Sequence, residues 1–548
     1  MPFIRLAMVQ SNPTVGDISG NLSKLVQLTS EAATRGANLV QFGEMSVTGY
    51  PIEDLATRAS FIEEAENAVS RLAEKLVEAG LGEIAVVVGA PSKALTPNGW
   101  AIAHNSAFVL RNGEIISKYS KHHLPNYSVF DEYRNFVSAD IDGTFELDGI
   151  KCALAICEDI WQDGGPVARI SEFKTQLTLV LNGSPFEIDK DDRRLALVKK
   201  LATSKNTAVS YVNLVGGQDD LVFDGDSIFA DSSGQVIARG TQFAEDIVLI
   251  DFDGSKAELV SKHVQTKADD NWQTWNALVL GLRDYVQKNG FRSVVLGLSG
   301  GIDSAVVATI AADAIGADKV FGVSMPSKYS SDHSKGDAFV LSENLGCHFE
   351  TIAIETMVES FETEMTLSGL ASENLQARMR GVILMALSNN NGHLTLTTGN
   401  KSELAVGYST IYGDSVGGFA PIKDVEKSMV WELAKWRNAW AIEQGLTPPI
   451  PENSIIKPPS AELRPDQTDQ DSLPEYDVLD AILDLYVEKR KGLSEIVQAG
   501  FDTITVERVI GLVDRAEWKR RQGAIGTKIT GMSFGRDRRL PITNRYRG

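Results

Sequence analysis

Apolar runs alternate with amphipathic segments through the first half of the chain. Runs of six to eight mostly apolar residues predict strands at Phe3–Gln10, Leu39–Glu44, Ile84–Pro91 and Leu177–Ser184. The segments between them repeat apolar residues at helical spacing, which predicts helices at Asn21–Arg35, Phe61–Ala79 and Asp191–Lys205. The pattern therefore predicts a sheet structure covered by helices.

Two hairpins interrupt this alternation. The apolar runs Ser106–Leu110 and Ile115–Tyr119 flank a turn containing Asn112-Gly113, a pair that is typical of tight hairpins. A second hairpin is predicted at Ser227–Asp231 and Val236–Arg239. Because hairpins occur together with strand–helix units, we expect an α+β sandwich here and not a purely doubly wound sheet.

From residue 293 onward the alternation becomes regular. Strands are predicted at Ser293–Leu298, Val320–Met325, Phe349–Ile354 and Leu394–Thr398, and helical patterns separate them. This order predicts a doubly wound parallel sheet whose ligand binds at the carboxyl ends of the strands. Further helices are predicted at Ser428–Ala441, Tyr476–Lys489 and Thr505–Gln522. The segment Leu446–Pro474, rich in Pro, Asp and Ser, is predicted to be a long loop, either a lid or disordered.

A glycine-rich turn directly follows the first of these strands. Its six residues are Ser299-Gly300-Gly301-Ile302-Asp303-Ser304, and a helical pattern begins at once after them. Backbone N–H groups at such a turn and the helix N-terminus suit a phosphate, and Asp303 can hold Mg²⁺. The turn is not the loop of phosphoryl-transferring enzymes, because no lysine closes it. An ordinary strand–helix turn is the alternative.

Composition and charge narrow the class of protein. The 548 residues exceed a single typical core, which predicts two or more domains: residues 1–260, a linker at 261–275 and residues 276–548. A net charge of −20 disfavours a general nucleic-acid binder. No apolar stretch approaches the roughly 18 residues of a membrane span. Only three cysteines are present, so a disulfide framework is not expected and the cytoplasm is the expected compartment.

Three residues of the first half suit hydrolysis of an amide. Cys157 ends an apolar run and can attack a carbonyl carbon as a thiolate. Glu44 can take its proton, and the ammonium of Lys121 can stabilise the oxyanion that forms. Each residue alone is weak evidence, since a cysteine in an apolar strand usually belongs to the core; Cys152 is assigned to the core for that reason.

The order Glu, Lys, Cys and the surrounding segments resemble the nitrilase superfamily from about Phe3 to Asp253, including Gly49-Tyr50-Pro51. The resemblance implies a four-layer αββα sandwich, with Glu44 as base, Lys121 as oxyanion partner and Cys157 as nucleophile. It also implies that Glu132 helps to order the site. The adjacent His122-His123 pair is interpreted as structural, because no third metal ligand is evident.

The glycine-rich turn resembles the pyrophosphate loop of the N-type ATP pyrophosphatases. Downstream, Glu403 in Gly399-Asn400-Lys401-Ser402-Glu403 can be a second carboxylate for Mg²⁺ beside Asp303, and Thr398 can bond the nucleotide. A capped helix start with an acidic first turn explains Glu403 equally well.

Taken together, the two halves resemble the glutamine-dependent NAD synthetases over essentially the whole chain. The matching segments are Ser299–Ser304, Asn374–Arg378, Gly399–Glu403, Tyr412–Asp414, Pro459–Gln467 and Lys519–Arg521. The resemblance implies an αββα glutaminase domain followed by a doubly wound, Rossmann-like ATP pyrophosphatase domain.

The same resemblance implies a ligand for each pocket. It implies that glutamine is held by Tyr127, Ser184 and Lys190, and that deamido-NAD is held by Asn374, Glu403 and Lys519. It implies that ATP is held by Gly297, Leu298, Ser299, Gly300, Gly301, Ile302, Asp303, Ser304 and Thr398. For Lys519, a solvated lysine at a helix end is the alternative. Homo-oligomers are implied as well.

The expected activity is hydrolysis of glutamine to glutamate and ammonia, coupled to ATP-dependent amidation of deamido-NAD to NAD. Other ATP-pyrophosphatase amidotransferases, such as GMP- or asparagine-forming ones, use different glutaminase folds. RNA-thiolating proteins share the loop, but the acidic charge opposes a polymer ligand. A dead first half fed by free ammonia is the third alternative, and the intact Glu44, Lys121 and Cys157 speak against it.

Overall fold

The computed structural model describes residues 3–94, 102–260, 268–460, 462–464 and 467–546. The chain divides into two compact units, Met1–Asp269 and Asp270–Gly548. The linker expected at 261–275 lies partly outside the described residues, and a helix already begins at Asp270. The boundaries 1–260 and 276–548 therefore stay a prediction.

The first unit contains fifteen strands in its described residues. They are β1 Ile4–Gln10, β2 Leu39–Gln41, β3 Ala85–Ala94, β4 Ile102–Arg111, β5 Glu114–Ser120, β6 Thr144–Leu147, β7 Ile150–Ile156, β8 Leu177–Asn182, β9 Ala208–Asn213, β10 Val215–Gln218, β11 Leu221–Asp224, β12 Ile228–Ala230, β13 Val236–Arg239, β14 Asp246–Phe252 and β15 Ala257–Leu259. Its α-helices are α1 Ile18–Thr34, α2 Ala59–Glu78, α3 Glu132–Asn135, α4 Gly165–Arg169 and α5 Lys190–Lys205.

Two mixed sheets pack face to face in this unit. Seven strands run in the order β15-β14-β1-β2-β3-β4-β5, and six run in the order β13-β12-β9-β8-β7-β6. In β1, Leu6 and Met8 point into the core between the sheets, whereas Ala7 and Val9 point outward against α1 and α2. The opposite sheet packs its outer face on α4 and α5. Since successive strand residues face opposite sides, this double burial produces the αββα sandwich that was predicted.

The second unit is built on four strands, β16 Val294–Gly297, β17 Val320–Ser324, β18 His348–Thr351 and β19 Leu394–Thr395. They pair in the order β18-β17-β16-β19, and all three pairings are parallel. Its helices are α6 Asp270–Lys288, α7 Ile302–Ile315, α8 Asp332–Leu345, α9 Glu355–Glu364, α10 Leu370–Asn391, α11 Lys401–Val406, α12 Lys427–Glu443, α13 Glu452–Ile456, α14 Tyr476–Leu483, α15 Leu493–Gln498, α16 Thr503–Arg515 and α17 Glu517–Arg520.

Helices cover both faces of this sheet. On one face, Val295 and Val323 pack against α9 and α10, and on the other α7 packs between α6 and α12. Strands β16 and β17 follow the predicted ranges closely, whereas β19 ends at Thr395; Leu396 still donates its N–H to Val295 of β16 and also pairs with Phe419. The predicted doubly wound parallel sheet is thus confirmed.

Three predicted elements differ from the structure. The loop at 446–474 contains the short helix α13 and a 3₁₀ turn at Asp469–Asp471; residues 461, 465 and 466 lie outside the description. The helix predicted at Thr505–Gln522 breaks after Arg515, where Ala516 ends α16 and α17 begins. A π-helical turn at Asp484–Glu488 follows α14.

Among the described residues, no helix has both the length and the apolarity needed to cross a bilayer.

Candidate functional site

The first unit collects Glu44, Lys121 and Cys157 at strand ends. Glu44 lies three residues beyond β2, Lys121 directly follows β5, and Cys157 directly follows β7 of the opposite sheet. All three side chains are at most 5% exposed. Because the two sheets face each other, residues separated by more than a hundred positions share one buried site.

The charges of this site are paired. The ammonium Nζ of Lys121 lies 3.0 Å from Oε1 of Glu44 and 2.9 Å from Oε2 of Glu132. Tyr50 donates its hydroxyl to Glu132 at 2.9 Å. Burial raises the pKa of Glu132 to about 7. Burial alone would lower the pKa of Lys121, but Glu132 and Glu44 outweigh it and raise that pKa well above its usual value, so the lysine stays charged.

Two residues besides Lys121 hold the carboxylate of Glu44 in place. Asn105 donates its amide Nδ2 to Oε1 of Glu44 at 2.6 Å, and the N–H of Gly183 donates to Oε2 at 2.7 Å. Neither residue was predicted from the sequence. Asn105 lies within β4 and belongs to no motif. Together with Lys121 these donors fix both oxygens of the carboxylate.

Cys157 begins a 3₁₀ turn with its backbone in the left-handed region, at φ +40°. Burial, followed by the charge of Glu44, raises the pKa of its thiol well above the usual value, and the ammonium of Lys121 opposes this rise. This shift favours the neutral thiol over the thiolate. Cys152 lies in the inner core on β7, where burial raises its pKa to about 12, and its assignment to the core is confirmed.

The histidine pair has structural partners. Nδ1 of His122 lies 2.6 Å from the carbonyl oxygen of Ala139, and the rings of His122 and His123 meet edge to face at 4.6 Å. Within the described parts of the chain, no three His, Cys, Asp or Glu side chains are grouped so as to hold a metal ion.

The three residues expected to hold glutamine have separate partners. Tyr127 is half exposed and donates its hydroxyl to Glu158 at 2.9 Å. Ser184 is buried and accepts a hydrogen bond from Nε of Arg194 at 3.2 Å. Lys190 is buried and forms an ion pair with Glu187 at 3.3 Å. Their role toward glutamine stays a prediction.

In the second unit, the glycine-rich turn connects β16 to α7. Gly300 has φ +77°, and a Cβ at this position would lie 2.2 Å from the carbonyl oxygen of Ser334. Only glycine fits there without displacing backbone. The hydroxyl of Ser454 also donates to the carbonyl oxygen of Gly300 at 3.0 Å. Side chain and backbone thus hold this turn from two sides.

A cavity of about 290 Å³ opens at the turn. Residues that follow β16, β17 and β19 line it, which places it at the carboxyl ends of the parallel strands, as expected. Of the residues predicted to bind ATP, those that line it are Gly297, Leu298, Ser299, Gly301, Ile302, Asp303, Ser304 and Thr398. Gly300 is the one predicted ATP-binding residue that does not line the cavity.

A lysine bridges Asp303 and Glu403, two carboxylates that line this cavity. The ammonium of Lys427 forms an ion pair with Asp303 and lies 3.2 Å from Oε1 of Glu403. Asn400 donates to the other oxygen of Asp303 at 2.9 Å and caps α11 by accepting from the N–H of Glu403 at 2.9 Å. Burial raises the pKa of Glu403 to about 8. Glu403 is thus both the acidic first turn of a capped helix and a wall of the cavity.

Lys427 was not predicted from the sequence. The available signal was its place at the first position of α12, where the positive helix end disfavours a lysine and a functional reason is needed. Its ammonium occupies the position between the two carboxylates that a cation would take.

The donor set fits Mg²⁺ of the kind that ATP brings. Asp303 and Glu403 offer carboxylate oxygens, and both already share one cationic partner. Mg²⁺ is usually held by one or two protein carboxylates together with substrate phosphates. Asp303 and Glu403 match that pattern, and the carboxylate of Asp469 lines the same cavity.

Asn374 and Lys519 lie outside the residues that line the cavity, unlike Glu403. Asn374 accepts from the hydroxyl of Thr410 at 2.8 Å, and Lys519 donates to the carbonyl oxygens of Gly407 and Ser409, each at 2.7 Å. Burial lowers the pKa of Lys519, so its ammonium is not the freely solvated group of a helix end. The two residues hold the segment after α11 from opposite sides.

Comparison with known proteins identifies both units. The family described as carbon-nitrogen hydrolase matches residues 5–262, and the family described as NAD synthase matches residues 274–523.

Relatives match this chain over its whole length. The glutamine-dependent NAD(+) synthetase of Acinetobacter baylyi is 45% identical, over 100% of this chain and 99% of the relative. The enzyme of the same name from Thermotoga maritima is 41% identical over 100% of both chains.

Solved structures agree. The glutamine-dependent NAD+ synthetase of Acinetobacter baumannii, in complex with adenosine diphosphate, is similar at a TM-score of 0.77 and 41% identity, covering 99% of both chains. The corresponding synthetase from Cytophaga hutchinsonii has a TM-score of 0.84 at 22% identity, covering 99% of this chain and 98% of that one, which supports the fold alone.

Proposed function

The chain belongs to the family of glutamine-dependent NAD(+) synthetases, and on this premise we propose how its two sites divide the reaction. The first unit hydrolyses glutamine, and the second adenylates deamido-NAD with ATP and amidates it to NAD. One observation supports this division above all: a complete buried Glu–Lys–Cys site lies in one unit, and a phosphate loop with two facing carboxylates lies in the other.

In the first unit, Cys157 is the nucleophile. Its thiol proton passes to Glu44, the thiolate attacks the side-chain amide carbon of glutamine, and Lys121 stabilises the oxyanion. When the C–N bond breaks, Glu44 returns the proton to the departing nitrogen and ammonia leaves. Glu44 then takes a proton from water, the hydroxide attacks the thioester, and glutamate and the thiol are released.

The high pKa of the Cys157 thiol fits this sequence of steps. Burial and Glu44 keep the resting group neutral, so a thiolate forms only when a substrate carbonyl is present to accept its charge. Glu132 keeps Lys121 charged by lying 2.9 Å from its ammonium. We assign glutamine binding to Tyr127, Ser184 and Lys190 on the family resemblance.

In the second unit, the nicotinate carboxylate of deamido-NAD attacks the α-phosphorus of ATP and pyrophosphate departs. Backbone N–H groups of the loop at 299–304 and the hydroxyls of Ser299 and Ser304 offset charge on the departing group. Lys427 adds a cation at the same wall of the cavity. Ammonia then displaces AMP from the acyl adenylate and forms the amide.

Mg²⁺ held by Asp303 and Glu403 would neutralise phosphate charge when it is bound with ATP. Lys427 must then give up at least one of its two carboxylate partners. Thr398 is assigned to the nucleotide, and Asn374, Glu403 and Lys519 are assigned to deamido-NAD.

Location and assembly complete the proposal. Cys152, Cys157 and Cys347 are all free, which suits a reducing compartment such as the cytoplasm. Large exposed side chains such as Phe339, Phe361 and Leu370 on the second unit suit a contact between copies, and a homo-oligomer is therefore expected.

The test is the release of AMP and pyrophosphate with a panel of acceptors: deamido-NAD, nicotinate mononucleotide and aspartate. With glutamine and Mg²⁺ present, deamido-NAD should give NAD, AMP, pyrophosphate and glutamate in equal amounts. Release that depends on another acceptor, or that occurs without formation of NAD, would contradict the proposal.

A further inference from the structure

A fully buried carboxylate outside the triad contacts two of the three segments that carry the triad, those of Lys121 and Cys157. Asp159 lies two residues after Cys157, is 0% exposed, and accepts four hydrogen bonds. Oδ1 accepts from the backbone N–H groups of His122 and His123, at 3.0 and 2.8 Å. Oδ2 accepts from the hydroxyl of Tyr119 and the backbone N–H of Ile156, at 2.8 and 3.0 Å.

These four donors surround two of the reacting groups. Three of them, at positions 119, 122 and 123, flank Lys121 on the segment that leaves β5. The fourth, Ile156, directly precedes Cys157. One carboxylate therefore ties the strand end that carries the ammonium to the turn that carries the nucleophile, although the two strands belong to different sheets.

The turn needs such a tie. Cys157 has φ +40°, a conformation that a side chain other than glycine keeps only where the surrounding structure imposes it. The bond from the N–H of Ile156 to Asp159 fixes the peptide group between Ala155 and Ile156, one peptide group before the strained residue. The bonds to His122 and His123 fix the backbone just after Lys121, whose own N–H is held by the carbonyl oxygen of Asn105 at 2.8 Å.

We propose that Asp159 is a positioning residue that sets the distance between the ammonium of Lys121 and the sulfur of Cys157. This role rests on the triad proposed above. Asp159 does not contact the reacting atoms. It acts through the two backbone segments that its hydrogen bonds join. Only a carboxylate can fill the place, since both of its oxygens accept from donors and neither has to donate.

The side-chain amide of asparagine has the same shape but not the same chemistry. One end of an asparagine must be an NH₂ group, and at Asp159 either end would face at least one backbone N–H that cannot accept: those of His122 and His123 at Oδ1, or that of Ile156 at Oδ2, where the Tyr119 hydroxyl alone can turn to accept. Asp159→Asn should therefore loosen one of the two segments without changing the volume of the core. Tyr119→Phe removes a single donor and serves as the graded variant.

The experiment compares Asp159→Asn, Tyr119→Phe and Asp231→Asn in the full chain. Asp231 is the matched control: it accepts from the N–H groups of Ser233 and Gln235 in an exposed hairpin turn away from the site. The measurements are kcat and KM for glutamine hydrolysis, ammonia-dependent synthesis, and the rate of iodoacetamide alkylation of Cys157 as a function of pH. Alkylation of Cys157→Ala is subtracted as the background from the other cysteines.

For Asp159→Asn we expect kcat for hydrolysis to fall about 100-fold with KM for glutamine changed less than about threefold, because displacement of a reacting group by an ångström costs that order of rate. The alkylation profile should move to higher pH, because a displaced Lys121 ammonium stabilises the Cys157 thiolate less. The other charges that face the sulfur, Glu44, Glu132 and Glu158, all disfavour the thiolate and would then be opposed less. Tyr119→Phe should show the same shift at smaller size, and Asp231→Asn none.

Two results would overturn the positioning role. One is an unshifted alkylation profile in Asp159→Asn together with a kcat, counted per molecule whose Cys157 can be alkylated, within about threefold of the wild type. Any loss of total activity would then reflect a smaller number of folded molecules. If Asp159→Asn does not fold, an unshifted profile in Tyr119→Phe overturns it. Failure of the triad itself is seen separately, as full hydrolysis in Cys157→Ala or Lys121→Met.

Discussion

The two sites of this chain hold their charges in opposite ways. In the first unit, Lys121 lies between Glu44 and Glu132, its permanent partners, and Asn105 and Gly183 fix Glu44 before any substrate arrives. In the second unit, Lys427 joins Asp303 and Glu403, the two carboxylates that we propose to hold the cation of the nucleotide.

The difference follows from the chemistry of each step. Attack on a neutral amide creates one negative charge at a fixed place, so a rigid, dry site with a ready ammonium lowers the barrier most. Adenylation handles a highly charged substrate that carries its own cation, and in this cavity the ammonium of Lys427 balances the charge of two carboxylates. Substitutions in the two sites should therefore separate the nitrogen donor from the synthetase step.

The largest effect is expected from Cys157→Ala. It should remove glutamine-dependent synthesis almost completely, by a factor above about 1,000, because no other group can form the thioester. Ammonia-dependent synthesis should be largely retained, since the phosphate loop lies in the other unit. Rates of NAD formation with each nitrogen donor measure this.

Cys152→Ala is the matched control for that variant, a second buried cysteine five residues earlier on β7. It should keep glutaminase activity. Equal loss of synthesis with glutamine and with ammonia in Cys157→Ala would refute the two-site division, and loss of glutaminase in Cys152→Ala would mean that the wrong cysteine was assigned.

Removal of charge from the second site should come next. Asp303→Asn and Glu403→Gln should each slow adenylation by about 100-fold and raise the Mg²⁺ concentration that is needed, because each removes a carboxylate proposed to hold the ion. Isotope exchange between pyrophosphate and ATP, with deamido-NAD present and Mg²⁺ varied, measures this step. Asp318→Asn, an exposed carboxylate beyond α7, is the control. Normal exchange and normal Mg²⁺ dependence in both variants would exclude these residues from the metal site.

Gly300→Ala tests the backbone of the same site. The added Cβ would lie 2.2 Å from the Ser334 carbonyl oxygen at a residue with φ +77°, so we expect a loss of about 1–3 kcal/mol in the free energy of unfolding and a higher KM for ATP. Gly336→Ala is the control, because a Cβ there meets nothing within 4 Å. Thermal unfolding and ATP kinetics measure both effects, and behaviour like that of Gly336→Ala would show that the loop does not depend on this glycine.

The smallest effect is expected from Lys519→Met. Its ammonium holds the carbonyl oxygens of Gly407 and Ser409, and Ser409 lines the cavity. KM for deamido-NAD should rise about tenfold, while glutamine hydrolysis in the first unit stays unchanged. Steady-state kinetics with deamido-NAD varied decide the matter: an unchanged KM would remove Lys519 from the substrate site.

Much of the fold was open to prediction. The apolar run of β1 and the strand–turn–helix order around 293–315 depend on neighbours in the chain, and both were predicted close to their bounds. The end of β19 and the break after Arg515 were not. At the end of β19, Leu396 keeps one backbone bond to Val295 of β16 and also pairs with Phe419, a position that the local pattern does not reveal.

The sequence by itself determined the chemistry that each segment carries: a cysteine at a strand end, a glycine pair before a helix, and carboxylates after strands. These are properties of short segments, and local sterics and periodicity express them without help from the rest of the chain. Only the tertiary structure decided which groups meet. Lys427 between Asp303 and Glu403, Asn105 on Glu44, and Asp159 across two sheets all depend on contacts between distant positions, and burial gives those contacts their strength.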